Sequence, residues 1–233
     1  MTTASSAHSN DLSVRRSSDA DASSAGRSTA PQPVRSRPGV SVRAASLVAG
    51  IALAAMAIIS PVGLLVALPA GNTGIAALVV LVVAALDVVV AVALIPVLAP
   101  GGVLLARIAA ALRIAYAAIF AVAAGSLLAP ADEMRFQAIW DAALLLFGVH
   151  LVLVGIAALR AHGIPVWVGA LVIVAGAGYA VDSVAVILIP SAVIGVGTFT
   201  FVGEVVFLVW LIVRGGRDVP ESRTTRRDAP ISR

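Results

Sequence analysis

Residues 74–98, GIAALVVLVVAALDVVVAVALIPVL, form an apolar run interrupted by a single charged side chain, Asp87. A helix of about 20 mostly apolar residues is long enough to cross the hydrocarbon core of a bilayer. An ionisable group at such a depth costs free energy, and it therefore marks a candidate functional site. This run predicts a membrane-spanning helix with an acid near its middle.

The composition of the whole chain supports a membrane protein. Hydrophobic residues make up 60% of the 233 positions, charged residues 12%, and the mean hydropathy is +1.05. Soluble domains carry about 25% charged residues, so we expect the lipid bilayer to be the solvent for most of this chain. The isoelectric point of 10.9 would suit a nucleic-acid partner. We expect no nucleic acid, because the arginines flank apolar spans, where membrane topology explains them.

Six apolar runs predict an all-α bundle of six transmembrane helices. The tails, 1–42 and 217–233, are polar and rich in Ser or Arg, so they should be disordered because they cannot bury enough apolar surface. Residues 43–216 form the predicted transmembrane domain. Its spans run over about 44–68, 74–98, 105–128, 139–159, 164–189 and 192–213.

The arginines predict the orientation of these spans. With the N-terminus inside, the inner segments hold both tails together with Arg43, Arg107 and Arg160, whereas the outer loops hold only Arg135. Cytoplasmic loops are enriched in such positive charges, so we expect both termini to be cytoplasmic. All basic residues are Arg, with an excess of Ala and Val. This pattern is typical of a GC-rich bacterial genome and predicts a multi-pass protein of the bacterial cytoplasmic membrane.

Three ionisable residues are predicted to share one depth in the bilayer. His150 precedes Arg160 by ten residues, and Glu204 precedes Arg214 by the same spacing. At 1.5 Å per helical residue, both side chains lie roughly 15 Å from the inner edge. Asp87 lies at a comparable distance before Pro96 on a span of the same direction. We therefore predict a midplane polar centre of Asp87, His150 and Glu204.

Further residues are candidates to support or pair with this centre. Arg113, in the inner part of the third span, can pair with Asp87 or with Glu204. On the fifth span, Tyr179 and Asp182 share one helix face. Small residues accompany them, which is typical of a face packed on protein.

Two functional interpretations of the polar centre remain open. In the first, the protein is a small-solute or proton-linked transporter or a permeation accessory, and its partner is an unknown small solute. In the second, it is a structural or regulatory protein whose buried polar residues set helix packing, with another membrane protein as a possible partner. The oligomeric state stays open in both.

An enzymatic role is not expected. The spans contain neither a metal-binding H-E-x-x-H spacing nor a glycine-flanked nucleophilic serine, and the chain has no cysteine. We therefore predict no metal site and no cofactor.

A series of short motifs resembles an uncharacterised bacterial six-span membrane family. In order along the chain they are Phe147-Gly-Val-His150, Gly155, Ile164-Pro165, Gly169, Gly178-Tyr179-Ala-Val-Asp182-Ser183, Gly203-Glu204, Trp210-Leu211 and Arg214-Gly215. Together they are similar to the domain of unknown function numbered 4386, over about residues 44–216. The resemblance implies six helices and an inner-membrane location, and it implies no activity.

Overall fold

The computed structural model describes residues 41–189, 195–197 and 201–217. The predicted disorder of the tails concerns residues that lie almost entirely outside these ranges. Of the tail residues that are described, Val42 begins the first helix and Arg217 lies in a turn.

The described chain is helical, with short connections. The helices are α1 (Val42–Pro61, continued by a π-helical turn over Val62–Ala67), α2 (Thr73–Leu98), α3 (Val103–Gly125), α4 (Glu133–Arg160), α5 (Val166–Leu188) and α6 (Val202–Val213). Five of them, α1 with its π-helical extension through α5, are long and apolar enough to span a membrane. The predicted class, an all-α polytopic membrane protein, is confirmed.

The sixth helix is shorter than its predicted span of 192–213. α6 has 12 residues, which correspond to about 18 Å of helix. Residues 192–194 and 198–200 of the predicted span lie outside the described chain, so that part of the prediction concerns residues without a described structure.

The fourth helix begins earlier than the predicted residue 139. Asp132 caps it, because its Oδ1 accepts a hydrogen bond of 2.9 Å from the backbone N–H of Arg135. Such a cap satisfies one of the free donors of the first turn. The polar segment predicted to be a loop is therefore partly helical: Glu133 and Arg135 belong to α4.

The six helices pack in a closed ring. Each helix contacts the next along the chain, and α6 packs against both α5 and α1. The ring closes at its Arg43 end, where the guanidinium donates to the carbonyls of Ile212 (2.6 Å) and Gly215 (2.8 Å) at the end of α6. On the same helix Ser46 Oγ donates to the carbonyl of Leu211 at 3.0 Å. These bonds satisfy the final carbonyls of α6, which otherwise lack partners.

Paired glycines bring α4 and α5 together. A Cβ atom added to Gly148 would lie 2.6 Å from the carbonyl oxygen of Gly176, and one added to Gly155 would lie 2.6 Å from that of Gly169. Both distances are shorter than van der Waals contact. The antiparallel backbones can therefore approach this closely only because side chains are absent at these positions.

Candidate functional site

A buried arginine organises three helices at the centre of the ring. Arg113 on α3 is 3% exposed. Its Nη2 and Nε atoms lie 2.5 and 2.8 Å from Oδ1 of Asp87 on α2. Its Nη1 atom lies 3.2 Å from Nε2 of His150 on α4. We call these three residues the arginine network.

The partners of His150 determine where its proton resides. Nδ1 lies 2.8 Å from the carbonyl oxygen of Ala109, which only accepts hydrogen bonds, so Nδ1 carries the proton and donates. Nε2 faces Arg113, which only donates, so Nε2 accepts. Both ring nitrogens are satisfied in the neutral imidazole, and a second proton on Nε2 would break the contact with Arg113.

A cavity of about 410 Å³ lies beside the arginine network. Pockets for small molecules commonly occupy roughly 300–1,000 Å³. Asp87 and Arg113 lie on its wall, and the other polar side chains include Glu204, Tyr179 and Ser60. All six helices contribute to the lining, which consists of Leu53, Met56, Ala57, Ser60, Pro61, Val83, Asp87, Arg113, Tyr116, Trp140, Leu144, Phe147, Tyr179, Phe201, Glu204, Val205 and Leu208.

The cavity lies away from the end of the bundle that carries Arg43, Arg107, Arg160 and Arg214, which we call the arginine end. On the α1 side it reaches Ser60 and Pro61, at the opposite end of that helix. Toward the arginine end, apolar side chains fill the interior beside the network, and the space left among them is only about 10 Å³. The interior directly beside the network is therefore open on one side and closely packed on the other. A separate cavity of about 130 Å³ lies at the arginine end, between the helix termini.

Glu204 faces this cavity without a cationic partner. Its side chain interacts with that of Tyr179 on α5. Within the described chain the only ion pair of the site joins Arg113 to Asp87. Glu204 is thus the acid of the predicted centre whose charge no neighbouring side chain neutralises by direct contact.

Aromatic rings form much of the cavity wall. Phe147 is central among them: its ring centroid lies 4.9 Å from that of Tyr116 and 5.4 Å, edge to face, from that of Tyr179. The guanidinium carbon of Arg113 lies 5.2 Å from the Phe147 centroid. The indole N–H of Trp140 is buried, and the Trp140 side chain interacts with that of Tyr116.

The structure brings most of the predicted site residues together and separates one of them. Asp87 and His150 both contact Arg113, and Glu204 and Tyr179 line the same cavity as Asp87. Asp182 lies apart from them: its carboxylate accepts hydrogen bonds from the backbone N–H groups of residues 196 (2.9 Å) and 197 (2.6 Å). It therefore holds the chain that precedes α6.

Sequence reasoning missed the aromatic wall and the clamp at the arginine end. Tyr116, Trp140 and Phe147 resemble ordinary apolar residues of a span, and only their convergence in space shows a cavity. Arg43 was interpreted as a topology signal alone. Its place in the first turn of the first helix could have suggested a contact with a helix end, but the sequence does not identify α6 as that helix.

Among the described residues, no three or more His, Asp or Glu side chains are grouped so as to hold a metal ion. The arrangement does provide a cavity lined by hydroxyl groups, aromatic faces and an acid, Glu204, that has no ion-pair partner among the described residues.

These features define a class: an all-α polytopic membrane protein with a cavity between its helices. Residues 133–215 match the model of the family described as Domain of unknown function (DUF4386). The predicted resemblance to this family is confirmed, over a shorter stretch than the expected 44–216. This stretch contains His150, Tyr179 and Glu204, whereas Asp87 and Arg113 precede it.

The chain is also similar to a curated relative. An uncharacterized protein of the archaeon Archaeoglobus fulgidus is 34% identical over 84 residues, which are 36% of this chain and 51% of the relative. The match thus spans about half the length of that relative. No solved structure matches the chain.

Proposed function

We propose that this protein is a non-enzymatic membrane transporter that binds a small solute in the central cavity. The observation that carries this proposal is the cavity itself, to which all six helices contribute. Sites for small molecules commonly lie between the helices of a bundle and combine apolar walls with a few convergent polar groups. A purely structural bundle has no need of such a space.

The proposed location is the bacterial cytoplasmic membrane, with both termini cytoplasmic. The arginine end then faces the cytoplasm, as the distribution of positive charges favours. In this orientation the cavity lies on the outer side of the arginine network, and the packed interior lies on its inner side. The structure would then correspond to the outward-facing state of a carrier.

Glu204 is the group best suited to couple solute binding to a proton. It faces the cavity, whereas His150 is hydrogen-bonded at both ring nitrogens. A carboxyl group on the cavity wall can exchange its proton without disrupting the arginine network. The proton-linked role predicted for the polar centre therefore falls to Glu204 rather than to His150.

A structural role is the second candidate function. The arginine network favours such a role for the three residues that form it. Asp87, Arg113 and His150 satisfy one another and lie buried, so they need no ligand. In this alternative the whole polar centre fixes the helix packing, and the cavity holds only water or lipid.

A solute-swelling assay separates the two candidates. Proteoliposomes are exposed to choline chloride, glycerol or sodium lactate, and swelling is followed by light scattering. Ser60 lines the cavity, whereas the side chain of Ile58 on the same helix is 71% exposed on the surface of the helix bundle. We expect swelling that depends on the protein for at least one solute, and we expect Ser60→Trp to reduce it at least about fivefold by filling the cavity, with Ile58→Trp close to wild type.

The absence of protein-dependent swelling with all three solutes would contradict transport and favour the structural role. Equal effects of the Ser60 and Ile58 variants would show that permeation does not pass through this cavity.

A further inference from the structure

The charges around the cavity favour a cationic ligand. The carboxylate of Asp87 and the guanidinium of Arg113 neutralise each other, and the hydrogen bonds of His150 keep its ring neutral. The remaining ionisable acid on the wall is Glu204, which lacks a cationic partner within the described part of the chain. When it is ionised, the site therefore carries an uncompensated negative charge.

An anionic ligand fits this site poorly. Arg113 already directs Nε and Nη2 to Asp87 and Nη1 to His150, and its guanidinium lies over the Phe147 ring. An anion would have to displace these partners and also approach Glu204. Both steps cost free energy in an interior of low dielectric constant.

The aromatic walls suit an organic ammonium group better than a metal ion. Five aromatic residues line the cavity: Tyr116, Trp140, Phe147, Tyr179 and Phe201. The faces of such rings attract cations, and cages of this kind recognise alkylated ammonium groups. Small inorganic cations instead need several oxygen ligands, and the described wall offers few of these around Glu204.

We propose that the cavity binds a small organic ammonium cation, with Glu204 as its counter-ion and the rings of Trp140, Tyr179 and Phe201 around its alkyl groups. This inference rests on the proposed solute-binding function and names the chemical class of the solute. The Tyr179 side chain interacts with the Glu204 carboxyl and so helps to place it beside the ligand.

The test compares choline with its uncharged carbon isostere, 3,3-dimethylbutan-1-ol, on the full-length protein in lipid nanodiscs. The two probes have the same shape and differ in charge. We expect choline to bind at least about tenfold more tightly by calorimetry. Glu204→Gln should remove that preference and Glu204→Asp should retain it, while Glu133→Gln, the same change at an exposed position outside the cavity, should leave it unchanged.

The outcomes distinguish this inference from the proposed function. If the alcohol binds as tightly as choline, and Glu204→Gln changes neither affinity, the inference is overturned while solute binding stands. If neither probe binds and no solute permeates the proteoliposomes, both proposals fail. If Glu204→Gln does not fold, a preference for choline that Glu204→Asp preserves and Phe201→Leu weakens would support the inference, and no effect of Phe201→Leu would contradict it.

Discussion

Arg113 links three helices through one side chain, and its removal leaves a buried acid without a partner. The depth of Asp87 and His150 could be estimated from their distance to span ends, and an Arg113–Asp87 pair was one of two predicted alternatives. The sequence could not choose between Asp87 and Glu204, because the choice depends on how α2, α3 and α6 are rotated in the ring. Nor could it assign the proton of His150, which is set by the carbonyl of Ala109.

Substitutions within the arginine network should have strongly non-additive effects on the free energy of unfolding. Arg113→Leu leaves the buried Asp87 carboxylate without its cationic partner. We therefore expect this substitution to lower the free energy of unfolding by about 3–5 kcal/mol. The double variant Asp87→Leu, Arg113→Leu removes both charges and should be more stable than the single Arg113 variant. Unfolding in mixed detergent micelles measures these differences, with Arg107→Leu, an exposed arginine of the same helix, as the control.

A double variant as destabilised as the sum of its single variants would contradict this assignment. Asp87 and Arg113 would then contribute independently, and the network would not be the unit that fixes the packing of α2, α3 and α4.

Helix α4 shows what a sequence pattern reveals about an element and what it misses. Its apolar run predicted a span, but the helix begins at Glu133, six residues before the predicted start. Asp132 supplies the cap, so the polar residues after it join the helix instead of the loop. The close approach of α4 to α5 was also unpredicted: the glycines are visible in the sequence, but their pairing depends on the antiparallel register of the two helices.

At the element scale, larger side chains at the paired glycines should force α4 and α5 apart. Gly155→Val places carbon atoms against the Gly169 carbonyl. We expect this overpacking to lower the free energy of unfolding by about 1–3 kcal/mol or more. Gly148→Val should behave in the same way against Gly176. Gly125→Val is the control, because a Cβ atom at Gly125 meets nothing within 4 Å. Thermal unfolding in detergent compares the variants.

Equal melting temperatures for the Gly155 and Gly125 variants would contradict the close contact between α4 and α5.

The ring as a whole divides the interior into two parts. On the arginine-end side of the network the adjacent interior is closely packed, and Arg43 and Ser46 hold α1 against α6. On the other side of the network lies the central cavity. Composition and the length of the apolar runs were enough to predict the all-α membrane fold. The cavity was not predictable, because it results from the arrangement of rings and an acid contributed by different helices, and none of these carries a distinctive local motif.

In the proposed orientation a solute reaches Glu204 from the outer side, past the aromatic wall, while the arginine end stays closed. The chain has no cysteine, so single cysteines can be introduced without a further change of background. Intact cells that produce Glu204→Cys or Ser46→Cys are treated with a membrane-impermeant methanethiosulfonate reagent. Ser46 is fully buried at the arginine end, and its substitution is nearly isosteric. We predict rapid modification of the cysteine at position 204 and none at position 46. A cysteine at position 204 that stays unmodified in intact cells, or that reacts only in inside-out vesicles, would contradict access to Glu204 from the outer side.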